Sequence, residues 1–206
     1  MIRSIAATVL TVALLYGCAD KQVAIQYQPD PAPQPLPAAN ALTIFDFSDA
    51  RGIEGDHDIF RVGGIYIGVW TRLVKVMTET PWPRALSRAL ASGFTARGVP
   101  TTLAYRPLPS GIVPIATPFA LTGDITNFST EFRFATSAHI SGVIRLIDPE
   151  GRILVERRLS ERQTAGVGAD APTSEAALQN TLNRALAAFV SKVVTDPELI
   201  SFLTRP

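Results

Sequence analysis

The chain has 206 residues, with 19 Lys and Arg against 18 Asp and Glu and a formal net charge of +1. That near balance gives no electrostatic ground for binding nucleic acid or anionic lipid. The length suits one domain with a real core, while 16 prolines put much of the chain in loops and linkers. A single cysteine, Cys18, excludes an intrachain disulfide.

Arg3 precedes a short apolar run, Ile5 to Leu15, which closes in Leu15-Tyr16-Gly17-Cys18. A positive end, an apolar stretch of about 7–15 residues and a small residue at the cut make a secretory signal peptide. The run is too short to span a bilayer, which takes about 20 residues. Leu15-Tyr16-Gly17-Cys18 resembles the lipobox of bacterial lipoproteins. Tyr16 departs from the Ala, Ser or Thr common there, but the small residue and the cysteine are in place. The resemblance implies lipidation of Cys18 by diacylglycerol and a palmitate-type acyl chain, with residues 1–17 removed. It also accounts for a lone thiol in an oxidising compartment, which is otherwise a liability. Stable anchoring takes more than one acyl chain, and the lipoprotein pattern supplies three. Ala19, where inner-membrane lipoproteins tend to carry Asp, implies the periplasmic face of the outer membrane rather than the inner membrane.

Residues 18–40 read as a lipid-anchored, Pro-rich linker. Pro29, Pro31, Pro33, Pro35 and Pro37 alternate with other residues, which precludes helix and favours extended polyproline II. The expectation is a spacer that can be removed without unfolding the domain. A proline-rich recognition motif is the rival reading.

The α+β domain is expected over residues 41–206. Leu42 to Phe47 predicts a strand, ended by the turn Ser48–Gly52. Glu54 to Asp58 forms an acidic, glycine-bearing loop without the Asp-x-Asp-x-Asp-Gly calcium pattern, so no metal is assigned. Phe60 to Met77 alternates β-branched and aromatic residues around Gly63, Gly64 and Gly68, which suggests one or two strands or a hairpin. This segment is either core or an exposed surface, with Tyr66 and Trp70 as the candidate interaction residues.

Pro81 to Arg97 predicts a helix, with Thr80 as N-cap and Gly98 as its stop. Trp82, Ala85, Leu86, Ala89, Leu90, Gly93 and Phe94 share one face, and Arg84, Ser87, Arg88, Ser92 and Thr95 the other. A short strand at Val99–Ala104 and a proline-rich loop follow. Three alternating strands come next, from Phe119, Ala135 and Arg152, the last two joined by the turn Asp148-Pro149-Glu150-Gly151. In the third, Ile153, Val155 and Leu159 are placed on the apolar face. Leu178, Leu182, Ala185, Leu186, Phe189 and Val193 stripe a second helix that stops at Asp196-Pro197, and Leu199 to Leu203 make a short apolar tail. The expected fold is a small antiparallel sheet with two helices packed on one face.

The order of lipobox, linker, Asp46 and Asp49-Ala50-Arg51, glycine loop, Ala96-Arg97-Gly98, Leu121-Thr122-Gly123-Asp124-Ile125 and the Asp148–Gly151 hairpin resembles the YajG-like lipoproteins of Gram-negative bacteria. It is also similar to the PqiC-like auxiliary lipoproteins of lipid-transporting ABC systems. Both resemblances imply helices on an antiparallel sheet and a role in the cell envelope without a catalytic residue.

The residues give little ground for an enzyme. His57 and His139 lack metal-ligand spacing, and no Gly-x-Ser-x-Gly elbow is present. A carboxylate pair, such as Asp124 with Glu131, could act as acid and base, but surface charge at strand ends is the commoner explanation. The reading is a non-enzymatic binding or assembly module without a cofactor, held by a lipid anchor and meeting a protein partner or a second copy. The alternative is an auxiliary subunit of an ABC-type lipid transport system.

Overall fold

The computed structural model describes residues 20–29, 34–51, 58–67, 71–104, 116–132, 134–165 and 175–205. Nine strands form one mixed sheet: β1 (Lys21–Gln22), β2 (Leu42–Phe45), β3 (Ser48–Asp49), β4 (Arg61–Ile67), β5 (Thr71–Met77), β6 (Thr101–Ala104), β7 (Phe119–Phe132), β8 (Thr136–Ile147) and β9 (Ile153–Ala165). Among the described residues there are three helices, α1 (Trp82–Ala96), α2 (Glu175–Val194) and α3 (Pro197–Leu203).

The expected small antiparallel sheet with two helices is therefore corrected. The antiparallel pairs are the meander β7–β8–β9, where the turn before Gly151 does what its sequence signals, and the β4–β5 hairpin. Everything outside the meander is built on the other edge of β7. That strand is 14 residues long, and three short strands line up along it in parallel. Leu42 of β2 pairs with Phe119, Ser48 of β3 with Asp124, and Ile65 of β4 with Phe132. Outside them, β6 extends β2, and β5 and then β1 extend β4. Ser48–Asp49, expected as a turn, is thus a strand.

One bulge keeps β7 in phase with the core. Leu121, Gly123 and Ile125 face inward against Leu146, Ile144 and Gly142; Thr126 is then skipped, and Phe128 and Thr130 face inward against Ile140 and Ala138. A bulge residue shifts the alternation by one, so odd positions give way to even ones on the same face. A second register shift, next to Leu146, moves Ile153 off the apolar face. It pairs with Ile147 and is 55% exposed, which corrects its expected position.

The helices cover one face of the sheet, and a single core cluster joins them to it. Helix α1 begins one residue later than its prolines suggested. Pro81 takes the N-cap position without a side-chain bond, and Pro83 sits in the first turn, where no N–H partner is missed. Its end is a Schellman motif: Gly98 N–H donates to Thr95 O, and Val99 N–H to Phe94 O. Gly98 adopts φ +80°, the left-handed conformation that favours glycine there. Ser87, expected on the polar face, is buried and donates to the carbonyls of Phe45 and Pro83. The expected apolar tail folds as α3, capped by Asp196, whose carboxylate accepts from Glu198 and Leu199 N–H. Leu199 and Leu203 are buried.

The folded unit also reaches upstream of Ala41. Residues expected as a free linker carry β1, bury Val23, and pack Ile25, Tyr27, Leu36 and Ala39 against the core. A proline-rich stretch lacks a repeating apolar face, yet isolated apolar residues in extended chain can each find a pocket on a finished surface.

Candidate functional site

Of the residues singled out from sequence, Cys18 and Trp70 lie outside the described residues. Tyr66 lies in β4 opposite Arg72 of β5, and only its backbone is described. The hairpin expected over Phe60–Met77 is present as β4 and β5. Gly63 is what brings β4 against β7. It has φ +147°, and a Cβ there would lie 1.8 Å from Thr130 O, so only glycine permits the approach.

The segment that follows Cys18 is the one with the most specific handling. The Asp20 carboxylate accepts from Lys75 N–H at 3.1 Å. Lys21 and Gln22 then pair in parallel with Val76 and Met77, and Val23 N–H donates to Met77 O. Beyond the strand, α2 takes over with side chains. Gln179 accepts from Ala24 N–H, while Asn183 accepts from Gln26 N–H and donates to Ala24 O. Two amide side chains four residues apart on one helix face thus continue a β-ladder that the sheet no longer supplies. Farther on, Leu36 N–H donates to Arg97 O, and Asn40 N–H to Leu203 O. The described parts of this strap, residues 20–29 and 34–40, thus meet the sheet edge, α2, the end of α1 and α3.

Between strap and helix α1 lie two hollows. One, about 140 Å³, is lined by Ile25, Tyr27, Thr80, Ala85, Arg88, Ala89 and Ser92. The other, about 590 Å³ and open to solvent, is lined by Pro29, Arg88, Ala91, Ser92, Thr95, Ala96 and Leu103. Neither brings together a nucleophile and a base.

Arg51 forms a buried node. Its guanidinium makes a two-pronged contact with Asp49, at 2.8 and 2.7 Å, and donates to the carbonyls of Arg61 and Asp58. It also lies over Trp82, 4.7 Å from the ring centroid, and Trp82 stacks on Phe128 at 5.1 Å. The side chains of Arg51 and Asp49 are 6% and 14% exposed, so this is a load carried inside the protein. The signal for it was in the sequence: Asp-x-Arg places both side chains on one side of an extended chain.

On the open face of the sheet, Arg145 bridges Asp124 at 2.6 Å and Glu156 at 2.7 Å. Asp124 is thus committed to Arg145, not aimed at Glu131 as a catalytic partner. His139 Nε2 lies 3.0 Å from Ser160 Oγ across the β8–β9 pair. Burial first, and Arg162 second, push the His139 imidazole below its usual pKa. This hydroxyl–imidazole pair sits on a flat sheet face, and the amides of β8 are engaged with β7 and β9 on either side. Asp46 is shifted in the other direction for a carboxylate: burial raises it, against the pull of Arg84, a hydrogen bond from Ser87, and Arg88. Among the described residues no group of three His, Cys, Asp or Glu is placed to hold a metal ion, and no helix is long and apolar enough to cross a membrane.

No family model matches the sequence, and no curated protein matches it. The fold does have a relative among solved structures. Protein XCC0632 from Xanthomonas campestris, described under DUF330, is 17% identical and superposes with a TM-score of 0.63 over 88% of this chain and 97% of its own. That likeness shows a shared fold. Two more distant structures are the PelC dodecamer from Paraburkholderia phytofirmans and lipoprotein GNA1162 from Neisseria meningitidis. The first is 11% identical, TM-score 0.42, covering 80% of this chain and 94% of its own. The second is 12% identical, TM-score 0.38, covering 76% and 99%. Likenesses at that level carry no argument about this chain.

Proposed function

We propose that the chain is a lipid-anchored lipoprotein on the periplasmic face of the outer membrane, acting as a non-enzymatic binding or assembly module of the cell envelope. The observation that carries this reading is Leu15-Tyr16-Gly17-Cys18, with the cysteine only two residues before Asp20, whose carboxylate is held by Lys75 N–H. A cleaved and acylated Cys18 would become the first residue of a chain that is folded almost from its start. Arg51 and Arg145 are paired with Asp49 and Asp124 within the fold. The partner contact is proposed at Tyr66, in β4, or at Trp70.

The test is radiolabelled palmitate in growing cells. Wild type takes up label, and Cys18→Ser does not and stays as an uncut precursor. An unlabelled wild type ends the lipoprotein reading. Crosslinking in intact cells, read by mass spectrometry on wild type and Trp70→Ala, then identifies the partner. Recovery of transporter permease subunits would favour the auxiliary role in lipid transport.

A further inference from the structure

We infer that the end of the sheet carrying the β7–β8 turn, with Phe134 at its tip, rests on the lipid surface that holds Cys18. The inference builds on the proposed lipidation of Cys18 and adds an orientation to it.

The strand registers place the start of β1 and the β7–β8 turn toward the same end of the sheet. β1 runs parallel to β5, with Lys21 beside Val76 and Asp20 bonded to Lys75. β1 therefore enters the sheet from the Thr71 end of β5. Two residues of chain span at most about 7 Å, so Cys18 lies within that reach of Asp20. Ile65 pairs with both Val74 and Phe132, which puts Phe132 level with Val74. β7 runs in the same direction as β4, so Phe134 lies two residues further toward the same end. Asp20, level with Lys75, Gly64 and Glu131, and Phe134 are therefore about three strand residues apart in height, about 10 Å, with Phe134 on the side from which β1 enters. Three strand spacings, β1 to β5 to β4 to β7, separate them sideways, or about 14 Å.

Phe134 is 77% exposed, more than the other exposed large hydrophobic residues among those described. The β4–β5 and β7–β8 connections both emerge at this end. A short attachment leaves the domain little freedom to stand away from its bilayer. An aromatic ring at a strand turn suits the headgroup level, where aromatic side chains partition favourably. Covalent anchoring makes this contact intramolecular, so a small apolar surface suffices to bias orientation. Ile153, 55% exposed, sits at the other end of β8, about 37 Å away along a 12-residue strand. It is apolar too, and only the direction of the anchor distinguishes the two ends. A partner met through the β4–β5 hairpin would then be met at the membrane surface.

The experiment uses the mature lipidated protein in vesicles of phosphatidylethanolamine and phosphatidylglycerol. Phe134→Cys and Ile153→Cys are each labelled with the environment-sensitive dye NBD, the Cys18 sulfur being blocked by its lipid. Blue-shifted emission at position 134, lost on adding headgroup spin-labelled lipid, with no change at 153, is the expected result. Equal behaviour at both positions, or quenching at 153 alone, overturns it. A shift at 134 that needs no vesicles and grows with protein concentration assigns the turn to a contact between copies, and also overturns it. Two dyes per chain would mean that Cys18 is free, which is failure of the lipidation reading. In that case the Cys18→Ser mature chain, bound by an N-terminal His tag to nickel-chelating lipid and labelled at the same positions, decides the orientation by the same criteria.

Discussion

The side-chain carbonyl of Asn183 accepts a hydrogen bond from Gln26 N–H at 3.0 Å, and the same amide donates to Ala24 O at 3.3 Å. A helix residue thus reads the backbone of a segment more than 150 positions away in sequence. Asn183→Ala removes both bonds and should lower stability by about 1–3 kcal/mol at roughly 0.5–1.5 kcal/mol per bond. A chain beginning at Ala41 loses in addition the burial of Val23, worth about 1.5–3 kcal/mol. Thermal melting of both against the mature chain checks this. Unchanged melting of the shortened chain would restore the free-linker reading.

Arg51 has no substitute of equal shape. Arg51→Met leaves the Asp49 carboxylate buried without its fork and removes the guanidinium bonds to Arg61 O and Asp58 O, the latter keeping the Arg61 N–H. The expected loss is about 3–5 kcal/mol, the range for breaking one side of a buried pair. Arg51→Lys keeps the charge but not the two-pronged geometry or the stack on Trp82, so it should recover only part of this. Urea denaturation followed by Trp fluorescence measures both.

Gly63→Ala tests the close approach of β4 to β7. The new methyl would overlap Thr130 O, on top of a backbone conformation that costs about 1–3 kcal/mol for other residues. The variant should either fail to fold or release β4 from β7. Hydrogen exchange would then show faster exchange in β4 and β5 while the β7–β9 meander stays protected.

Two aspartates should answer pH with opposite signs. Burial raises the Asp46 carboxyl above its ordinary value of 3.8, so its favourable contribution is present below that pH and is lost as pH rises through the folded pKa. Asp46→Asn should therefore raise the melting temperature at neutral pH, with no gain in acid below the unfolded value. At Asp148 burial acts upward but is outweighed by the Arg152 N–H and guanidinium, and the carboxyl lies below 3.8. Its contribution is present above that value and is lost as pH falls through the folded pKa. Asp148→Asn should lower the melting temperature at neutral pH, and the deficit should vanish in acid. Melting curves across the pH range separate the two.

Local signals in the sequence determined the antiparallel meander, the end of α1 at Gly98 and the apolar stripe of α2. Each depends on residues near one another in the chain: a turn between two alternating runs, a glycine after a periodic face, an apolar repeat along one helix. The tertiary structure alone decided that β2, β3 and β4 share one edge of β7. Parallel neighbours carry no turn between them, so nothing in Leu42–Phe45 or Ser48–Asp49 announces Phe119 or Asp124 as a partner. It likewise decided that the segment after Cys18 is strapped down, because Gln179 and Asn183 read there as ordinary polar residues on a helix. Their role exists only once the fold sets them beside Ala24 and Gln26. The position of Phe134 toward the end from which β1 enters is of the same kind, since it is summed over four strands whose pairing no single stretch of sequence records.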